Sequence, residues 1–596
     1  MIAILDFGGQ YAHLIATRIR SHGVFTEIFD ADTDSSLLKN AKGIVLSGGP
    51  QSVFDPASPQ VDRGVYELQI PILAICYGHH VISQDLGGKV VPGTKPEYGP
   101  AILEVKNLNS PIFKGVSQTT KVWMSHNDET EDLPENFEII ASTSSCEIAA
   151  MQNLNENIYT VQFHPEVVHT KEGNTIIGNF IDICGQRNSW ELGNFIEEEC
   201  NKIRKQVGNN KVFLMVSGGV DSTVAFALLE KALGKEKVFG MFVDTGLLRL
   251  NERGYVEESI KNAGFDNLHT EDASELFLNN LKNVAEPEKK RKIIGDTFLE
   301  VQRKVVKDFN LNPNEWLLGQ GTIYPDTIES GGTKNADTIK THHNRVPEIQ
   351  KMIDEGKIIE PLKDLYKDEV REVGRKLGLP NEMVDRHPFP GPGLGVRILC
   401  SDEKEITNYE LRITNYNYKV QVLPVKSVGV QGDGRTYRHP AVICLGENKI
   451  DWNDIETESV KITNGSKEVN RVVLCLSHRY PIKLKLEKAF LTCDRIYKLQ
   501  KADSIAQKMI HYWESKSNPE QKVWQFPIVL LPLVNEKGEE CIVLRPIFSQ
   551  EAMTAEFARL PQELLEKMTE KILEIEGIGA VFYDVTHKPP ATIEWE

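Results

Sequence analysis

Short apolar runs that end in glycine or polar residues, each followed by a helical pattern, constrain the fold of this chain more than any other feature. The first region has four such runs, at 2–5, 43–46, 70–75 and 158–163. Continuous apolar runs of this length predict strands buried on both faces, and strands that alternate with helices predict a mostly parallel sheet. Because side chains that follow such strands meet at one edge of the sheet, we expect the chemistry there.

The composition is that of an ordinary soluble protein with several domains. The chain has 596 residues, of which 40% are hydrophobic and 26% charged, so roughly two to four domains are expected at ~150 residues each. The formal net charge of −17 argues against a general nucleic-acid binder, because such proteins need a basic footprint. No apolar run approaches the ~20 residues of a membrane-spanning helix. We therefore expect small-molecule partners, and neither nucleic acid nor a membrane.

Cysteine usage and the first residues predict a cytoplasmic protein. The nine cysteines are odd in number and include no Cys-x-x-Cys pair, which is unlike a disulfide framework or a zinc module. Reduced thiols in a cytosol-like compartment fit this pattern better. The apolar run after Met1 has no basic stretch ahead of it, so the sequence predicts no signal peptide.

Three polar clusters stand directly after predicted strands of the first region. Cys76 follows one strand at the start of a helical pattern, where a sharp turn exposes a thiol and the helix favours its thiolate. His164 and Glu166 follow another strand, and this histidine can take the thiol proton while the glutamate orients the ring. The glycine loop at 47–50 offers backbone N–H groups to an oxyanion. Taken alone, such a cysteine is more often a buried small hydrophobe, and a His-Pro-Glu string is typical of a surface turn.

These clusters together resemble the class I glutamine amidotransferases. The similar stretches are Ser-Gly-Gly-Pro at 47–50, Cys-Tyr-Gly at 76–78 and Gln-Phe-His-Pro-Glu at 162–166. That family hydrolyses glutamine to glutamate and ammonia through a cysteine thioester. The resemblance implies that Cys76 is the nucleophile, His164 the base and Glu166 its orienting group. It also implies an oxyanion hole formed by the backbone N–H groups of Gly49 and Tyr77.

The sequence departs from this family at one point. After Cys-Tyr-Gly the family usually has Met-Gln or Gln-Gln, whereas His79 and His80 stand here. The difference concerns how the substrate glutamine is held, and it leaves the nucleophile in place. The resemblance covers about residues 1–185.

A second strand–loop–helix pattern opens the middle region. The apolar run at 211–216 leads into a glycine loop at 217–223 and then into an apolar helical pattern. Backbone N–H groups and the positive end of a helix form a cradle for phosphate, although a glycine turn without a ligand is the plain alternative. The loop lacks the Gly-Lys-Ser/Thr of a Walker A loop and resembles the Ser-Gly-Gly-x-Asp-Ser loop of the ATP pyrophosphatases. The resemblance implies that Asp221 is a magnesium partner and that ATP is bound by Ser217, Gly218, Gly219, Val220, Asp221, Ser222 and Thr223.

Further strings resemble the glutamine-hydrolysing GMP synthetases from the N-terminus to the last residue. They are the basic run at 289–295, the strand end at 318–326, the string at 339–344, the Pro- and Gly-rich stretch at 386–395 and the tail Lys-Pro-Pro-Ala-Thr-Ile-Glu-Trp-Glu at 588–596. The resemblance implies that Arg291, Asp433, Lys588 and Glu594 contact xanthosine monophosphate (XMP). By themselves, the basic run is typical of a solvated helix face and the 386–395 stretch of a stiff connection between domains.

The implied activity is a ligase reaction of guanine nucleotide biosynthesis. ATP, XMP, glutamine and water give AMP, pyrophosphate, GMP and glutamate. A cysteine thioester releases ammonia, ATP adenylates O2 of XMP, and ammonia then displaces AMP. Because ammonia is readily protonated in water, the family resemblance implies an enclosed route between the two sites. The implied cofactor is Mg²⁺ with ATP, and no prosthetic group is expected.

The predicted fold class is α/β, with two doubly wound parallel-sheet domains and a C-terminal α+β domain. The amidotransferase is expected at 1–188, the ATP pyrophosphatase at 189–400 and the XMP-binding domain at 401–596. In this last domain a ββαβ pattern occurs twice. The amphipathic helix predicted between the copies has one apolar face, formed by Ile496, Leu499, Ala502, Ile505, Met509 and Trp513. The predicted strands lie near 427–431, 441–445, 471–476, 528–534, 541–547 and 580–585.

This duplication bears on the oligomeric state. A three-stranded sheet with one helix has a bare face that must be covered, and the short form of the family covers it with a second subunit. A second copy in the same chain can do the covering internally, which favours a monomer. The alternative is that the added residues are an unrelated insertion and that the protein is a homodimer.

Two other functions are compatible with parts of the sequence. One is an amidotransferase–adenylating synthetase that acts on NAD precursors, which the tail and the basic run argue against. The other is a regulatory scaffold that binds nucleotide without catalysis, which the complete set of thiol, imidazole, carboxylate and glycine loop argues against.

Overall fold

The structure is a computed structural model that describes most of the chain. It leaves out residues 9–10, 56–57, 168, 189, 191, 266, 310–314, 325, 327–354, 404–408, 411–417, 432–433, 447–448, 479–481, 518–521 and 550–554. Asp433 and the string at 339–344, both singled out from the sequence, therefore lie outside the described residues.

The first region forms an α/β sheet, as its apolar runs predict. Its strands are β1 (Ile2–Asp6), β2 (Thr26–Asp30), β3 (Gly43–Leu46), β4 (Ile72–Ile75), β5 (Lys89–Val105), β6 (Thr119–Asp132), β7 (Glu138–Ser142), β8 (Ala150–Asn153) and β9 (Ile158–Val161). Its helices are α1 (Ala12–Ser21), α2 (Gly64–Glu67), α3 (Tyr77–Asp85), α4 (Gly173–Ile183) and α5 (Leu192–Val207).

The strand order of this sheet is β2-β1-β3-β4-β9-β8-β7-β5-β6. The strands from β2 to β9 pair in parallel, and those from β8 to β6 extend the sheet in antiparallel fashion. Alternate residues of the parallel strands enter two separate cores, so both faces are covered. The antiparallel extension is not predicted, because β6 alternates buried and exposed residues and has no continuous apolar run.

The middle region forms a second parallel sheet, of order β12-β11-β10-β13-β14. Its strands are β10 (Lys211–Val216), β11 (Val238–Asp244), β12 (Leu268–Asp272), β13 (Trp316–Gly319) and β14 (Ile358–Ile359). Its helices are α6 (Val220–Leu233), α7 (Glu252–Asn262), α8 (Ser274–Asn280), α9 (Pro287–Asp308), α10 (Lys367–Lys376) and α11 (Asn381–Val384). Parallel strands alternating with helices confirm the α/β class for this region as well.

The last region is an α+β assembly around one mixed sheet. Its strands are β15 (Tyr409–Glu410), β16 (Lys419–Val422), β17 (Ser427–Gln431), β18 (Gly434–Cys444), β19 (Val469–Cys475), β20 (Lys485–Leu486), β21 (Ile528–Val534), β22 (Glu540–Leu544), β23 (Ile547–Phe548), β24 (Glu556–Phe557) and β25 (Ile578–Asp584). The sheet order is β15-β16-β18-β19-β25-β22-β21-β20, with β17 paired to β18. The helices are α12 (Trp452–Gly465), α13 (Cys493–Ser517) and α14 (Gln562–Leu573).

Packing divides the described chain into two compact units. Unit 1 takes residues 1–206 together with the described parts of 321–356 and 360–376, and unit 2 takes the rest. Within unit 1, the buried Arg20 of α1 pairs with Glu369 of α10 at 3.0 Å and lies over the ring of Tyr366. The guanidinium group of Arg20 therefore joins the 360–376 segment to helix α1 of the first region. The division reflects packing, and the domain boundaries at 188 and 400 stay predictions.

No helix among the described residues is both long enough and apolar enough to cross a membrane. This agrees with the charged faces of the long helices α9 and α13.

Candidate active site

Cys76 lies at the sharp turn between β4 and α3, where the sequence predicts a nucleophile. Its backbone has φ 51° and ψ −103°, a conformation that residues with a side chain rarely adopt. Holding a residue there costs about 1–3 kcal/mol, and such strain persists only where the surrounding structure imposes it. The thiol donates to the backbone oxygen of Ser125 at 3.4 Å. The turn thus places the thiol at the amino end of α3, but Cys76 is only 5% exposed, so the turn does not expose the thiol as the sequence predicts.

His164 and Glu166 meet Cys76 at the carboxyl edge of the first sheet. β4 and β9 are parallel neighbours, so the residues that follow them emerge side by side. Nδ1 of His164 donates to Oε1 of Glu166 at 2.7 Å, and both side chains are buried. Burial lowers the pKa of the His164 imidazole, but the charges of Glu166 and Cys76, with its hydrogen bonds to both, outweigh burial and raise this pKa well above its ordinary value. The arrangement therefore favours the protonated imidazolium form of His164.

The glycine loop at 47–50 lies against this pair. A Cβ on Gly48 would come within 3.1 Å of Cε1 of His164 and 3.6 Å of Cβ of Cys76. A Cβ on Gly49 would come within 2.9 Å of the backbone oxygen of Phe7 and 3.3 Å of Tyr77. Only glycine allows such an approach. Gly49 thus packs against the side chain of Tyr77 in the first turn of α3, where the N–H of Tyr77 has no intrahelical acceptor.

The two histidines that distinguish this sequence are buried and neutral. His79 lies between two threonine hydroxyls, with Nδ1 2.6 Å from Oγ1 of Thr160 and Nε2 3.0 Å from Oγ1 of Thr130. Burial holds its pKa well below the ordinary value. Burial, helped by the nearby His126, lowers the pKa of His80 to about 3. Neither residue supplies a charge to a zwitterionic glutamine, and His79 serves to join α3 to the sheet.

Replacing Glu166 with glutamine is expected to weaken glutamine hydrolysis. The neutral amide no longer stabilises the imidazolium, so the pKa of His164 falls and the alkaline limb of the pH profile of kcat/KM moves to lower pH, by about 1–3 units. The rate at the optimum falls about tenfold or more. Glu172→Gln is the control, because that carboxylate binds Ser117 instead. An alkaline limb that stays in place would contradict the orienting role of Glu166.

The second cluster of predicted residues forms a loop between β10 and α6. Gly218 has φ 76°, and Gly219 precedes the first turn of α6. The hydroxyl of Ser222 accepts from the backbone N–H of Ser217 at 3.0 Å, and Thr223 donates to the backbone oxygen of Gly219 at 2.8 Å. The side chains thus hold the loop in shape, while the N–H groups at the start of a fourteen-residue helix suit a phosphate.

Asp221 lies in the first turn of α6, beside this loop. No group of three or more histidine, cysteine, aspartate or glutamate side chains in the described part of the chain is arranged to hold a metal ion alone. Magnesium that travels with a nucleotide needs only one or two carboxylates and completes its shell with phosphate oxygens and water. A single carboxylate next to a phosphate cradle fits that mode of binding.

The predicted XMP residues are spread over distant parts of the sequence, and the fold brings three of them to the C-terminal tail. Lys588 and Glu594 belong to the tail, and Nη2 of Arg291 on α9 donates to the backbone oxygen of Glu596. The preceding residue, Lys290, is fully buried and pairs with the Glu596 carboxylate. The plain interpretation of the basic run as a solvated helix face therefore holds for the exposed Lys289 and Lys292 and is wrong for Lys290 and Arg291, which contact the tail.

The tail is ordered by the protein itself. Trp595 is fully buried, and its Nε1 donates to Oδ2 of Asp584 at 3.0 Å. Asp584 also pairs with the buried Arg471 and Arg545, each at 2.7 Å. Burial raises the pKa of Asp584, but the two guanidinium groups outweigh it and hold this pKa below its ordinary value. A buried anion between two cations satisfies the rule that buried charges are paired.

Sequence reasoning misses the partners that fix Glu594. Arg397 is fully buried and holds the Glu594 carboxylate with two bonds, Nη2–Oε1 at 2.8 Å and Nε–Oε2 at 3.1 Å. Gln525 donates to the same Oε1 at 3.3 Å. The glutamate keeps 18% of its side-chain surface exposed. The Pro- and Gly-rich stretch just before Arg397 predicts a stiff segment, but nothing in its spacing points to a carboxylate 197 residues away.

The parallel sheet, the strained thiol and the glycine loop are those of a class I glutamine amidotransferase. Residues 3–184 match the family Glutamine amidotransferase class-I, residues 191–261 match NAD synthase, and residues 514–595 match GMP synthase C terminal domain. The chain belongs to the family of glutamine-hydrolysing GMP synthases, because relatives in that family match it over its full length. This confirms the resemblance that the motifs indicate.

Relatives match along the whole chain. A probable GMP synthase (glutamine-hydrolyzing) of Leptospira interrogans is 45% identical over 606 residues, which cover 100% of this chain and 99% of the relative. GMP synthases (glutamine-hydrolyzing) of Neisseria meningitidis and Caldicellulosiruptor saccharolyticus are 40% and 39% identical, again over 100% of this chain and 99% of each relative.

Proposed function

We propose that this chain makes GMP from XMP, with glutamine as the nitrogen donor and ATP as the activating reagent. The observation that carries the proposal is that one chain holds both a thiol–imidazole–carboxylate set and a phosphate-type glycine loop. The full-length relatives carry the same name for this activity. The reaction is a carbon–nitrogen ligation in guanine nucleotide biosynthesis, with two half-reactions that need different chemistry.

In the first half-reaction, the Cys76 thiolate attacks the carboxamide carbon of glutamine. The backbone N–H groups of Gly49 and Tyr77 bind the oxyanion that develops. The His164 imidazolium, held by Glu166, gives its proton to the leaving nitrogen. Ammonia then departs, and the glutamyl group remains on Cys76 as a thioester. The neutral imidazole then takes a proton from water, which hydrolyses the thioester and releases glutamate.

In the second half-reaction, O2 of XMP attacks the α-phosphorus of ATP and pyrophosphate leaves. The loop from Ser217 to Thr223 binds the β- and γ-phosphates through backbone N–H groups and hydroxyls. Adenylation is needed because an amide-like oxygen is a poor leaving group, whereas AMP is a good one. Ammonia then adds at C2 of the purine and AMP departs, which leaves GMP.

Magnesium accompanies ATP in this proposal, and Asp221 is the residue that would bind it. The ion supplies charge neutralisation of the phosphate oxygens when bound. What the chain itself supplies is the orientation of the triphosphate by the loop at the amino end of α6.

The three predicted domains are part of the proposal. The family matches at 3–184, 191–261 and 514–595 fall inside the expected amidotransferase, ATP pyrophosphatase and C-terminal domains in the same order. The gap between the first two matches supports a boundary near 188, whereas the boundary near 400 rests on the sequence pattern alone.

We also propose that the C-terminal domain contains two ββαβ copies and that the protein is a monomer. The strand pairings support this with one change, because β16 takes the place of the strand expected at 427–431, which is β17 and lies off the main sheet order. β16, β18 and β19 pair antiparallel and then parallel, and β21, β22 and β25 repeat that pattern. The two halves join into one sheet through the antiparallel pairing of β19 with β25. The edge strand of each half is therefore hydrogen-bonded to the other half. Light scattering is expected to give a mass near 67.1 kDa, and a mass near twice that value would favour the homodimer.

Mass analysis of the products tests the function directly. Purified protein with ATP, XMP and glutamine is expected to form GMP, AMP, pyrophosphate and glutamate in equal amounts. Replacing XMP with deamido-NAD tests the alternative suggested by the match to NAD synthase, and product there without product from XMP would overturn the proposal. Consumption of ATP and glutamine without GMP would do the same.

Replacing Glu594 with glutamine is expected to raise KM for XMP about tenfold or more, with KM for ATP unchanged. The loss of one charge-assisted hydrogen bond is worth about 1.5–3 kcal/mol, and about 1.4 kcal/mol corresponds to a tenfold change in affinity. Steady-state kinetics with ammonia as the nitrogen source measure both constants. Glu563→Gln on the exposed side of α14 is the control, and equal KM values in the two variants would remove Glu594 from the XMP site.

A further inference from the structure

The Pro- and Gly-rich stretch at 386–395 lies against the nucleotide loop of unit 2. Nη1 of Arg386 donates to the backbone oxygen of Gly218 at 3.2 Å. Farther along, the backbone N–H of Leu394 donates to the backbone oxygen of Leu247 at 2.8 Å, just after β11. The stretch therefore borders the carboxyl ends of two neighbouring strands, β10 and β11, and is more than a connection between domains.

The bond to Gly218 determines which way one peptide group faces. In a trans peptide the C=O of one residue and the N–H of the next point in opposite directions. A guanidinium that holds the oxygen of Gly218 on one side therefore directs the N–H of Gly219 to the other. A carbonyl oxygen turned toward a phosphate would repel it, whereas an N–H attracts it. In this structure the Gly219 N–H makes a bond of 3.3 Å to the hydroxyl of Ser217, which is long enough for a phosphate oxygen to replace.

Arg386 is itself held on two further sides. Nη2 pairs with Oε1 of Glu252 at 2.6 Å, and the glutamate side chain is 3% exposed. The other oxygen of Glu252 accepts from the backbone N–H of Arg249 at 2.7 Å. The guanidinium also lies 5.5 Å from the centre of the Tyr255 ring. Because Glu252 already balances its charge, Arg386 acts by orientation and not as a free positive charge.

The neighbouring residues restrict the position of Gly218. Its φ of 76° and the closeness of a Cβ to Val256 and Phe242, at 3.1 and 3.2 Å, show that the loop is packed against α7 and β11. The peptide between Gly218 and Gly219 still has the rotational freedom that two glycines allow. A fixed donor on the carbonyl removes that freedom.

We infer that Arg386 is a positioning residue that fixes the Gly218–Gly219 peptide with its N–H toward the phosphates of ATP. The inference rests on the proposed function, since it names the ATP site. Without the guanidinium the peptide can rotate, and its carbonyl then opposes the triphosphate. The consequence is weaker binding of ATP, with the glutamine and XMP sites unaffected.

Kinetics of Arg386→Gln test this inference, with ammonia, XMP and MgATP as substrates of the full chain. KM for ATP is expected to rise about tenfold, since roughly 1.4 kcal/mol corresponds to a tenfold change, while KM for XMP and glutamine hydrolysis stay within twofold. R386K, which keeps the charge but not the forked donor, is expected to recover part of the loss. R253Q is the matched control, because Arg253 on α7 pairs with Glu257, Asp272 and Asp244 and, among the described residues, makes no hydrogen bond to a carbonyl of the 217–223 loop.

The outcomes separate the inference from the function on which it rests. A wild-type chain that forms no GMP would overturn the proposed function. A wild-type chain that forms GMP, with KM for ATP unchanged in R386Q, would overturn only the role of Arg386. A rise in the KM for ATP and for XMP together, with a lowered melting temperature, would also overturn it in favour of a general structural role. If R386Q does not fold, R386K decides, since an unchanged KM for ATP there contradicts the need for a forked donor.

Discussion

Replacing Cys76 with alanine is expected to abolish GMP formation from glutamine and to leave GMP formation from ammonia intact. Removing the atom that forms the thioester leaves no covalent route to ammonia, so the glutamine-dependent rate falls by roughly 10³-fold or more. The phosphate loop and the tail lie in unit 2 and Cys76 in unit 1, so the synthetase half-reaction keeps its own residues. Parallel assays of GMP formation with glutamine and with ammonium chloride measure the two rates.

A second buried cysteine provides the control for Cys76→Ala. Cys146 belongs to the same unit and the same core, and burial raises the pKa of its thiol to about 12. It is therefore a protonated thiol that packs as a small hydrophobe. C146A is expected to keep both activities. If C76A keeps the glutamine-dependent rate, the nucleophile has been assigned wrongly.

The residues of the thiol site could be predicted because they follow strands directly. Cys76 and His164 each come immediately after an apolar run, and parallel strands that are neighbours place such residues at one edge of the sheet. What the pattern does not contain is the order of the strands. The pairing of β4 with β9 and the antiparallel extension beyond β9 depend on long connections along the chain. The hydrophobic pattern within a single strand does not indicate its neighbours in the sheet.

Long-range partners are where prediction from the sequence fails. Arg397 and Glu594 are joined by two bonds across 197 positions, and neither residue carries a signal for the other. The two prolines and the tryptophan of the tail do not reveal what orders it either. Trp595 is buried against Asp584, so the folded domain orders the tail.

Helix faces are predicted well at the start of a helix and less well farther on. The expected stripe of α13 contains Ile496, Leu499 and Ala502, which are buried. Beyond them the buried face continues through Ala506 and Ile510, one position after the expected Ile505 and Met509. A period of 3.6 residues per turn drifts from a whole-number spacing, and the sheet beneath α13 selects the residues that stay buried.

Replacing Gly218 with alanine is expected to reduce kcat/KM for ATP by about 10- to 100-fold. An L-residue at φ 76° costs about 1–2 kcal/mol, and the added Cβ would lie 3.1 Å from Val256 and 3.2 Å from Phe242. Both effects are relieved if the loop leaves its present conformation, which removes the aligned N–H groups that bind phosphate. Steady-state kinetics with ammonia and XMP measure the loss, and glutamine hydrolysis is expected to continue unchanged.

The other end of the same helix offers a matched control for Gly218→Ala. Gly234 ends α6 with φ 79°, and nothing lies within 4 Å of the Cβ that alanine would add. G234A therefore introduces backbone strain without a side-chain contact, at the opposite end of α6 from the loop. It is expected to lower the melting temperature and leave KM for ATP unchanged. If both variants raise KM for ATP equally, strain in α6 explains the effect and the loop does not act as the phosphate cradle.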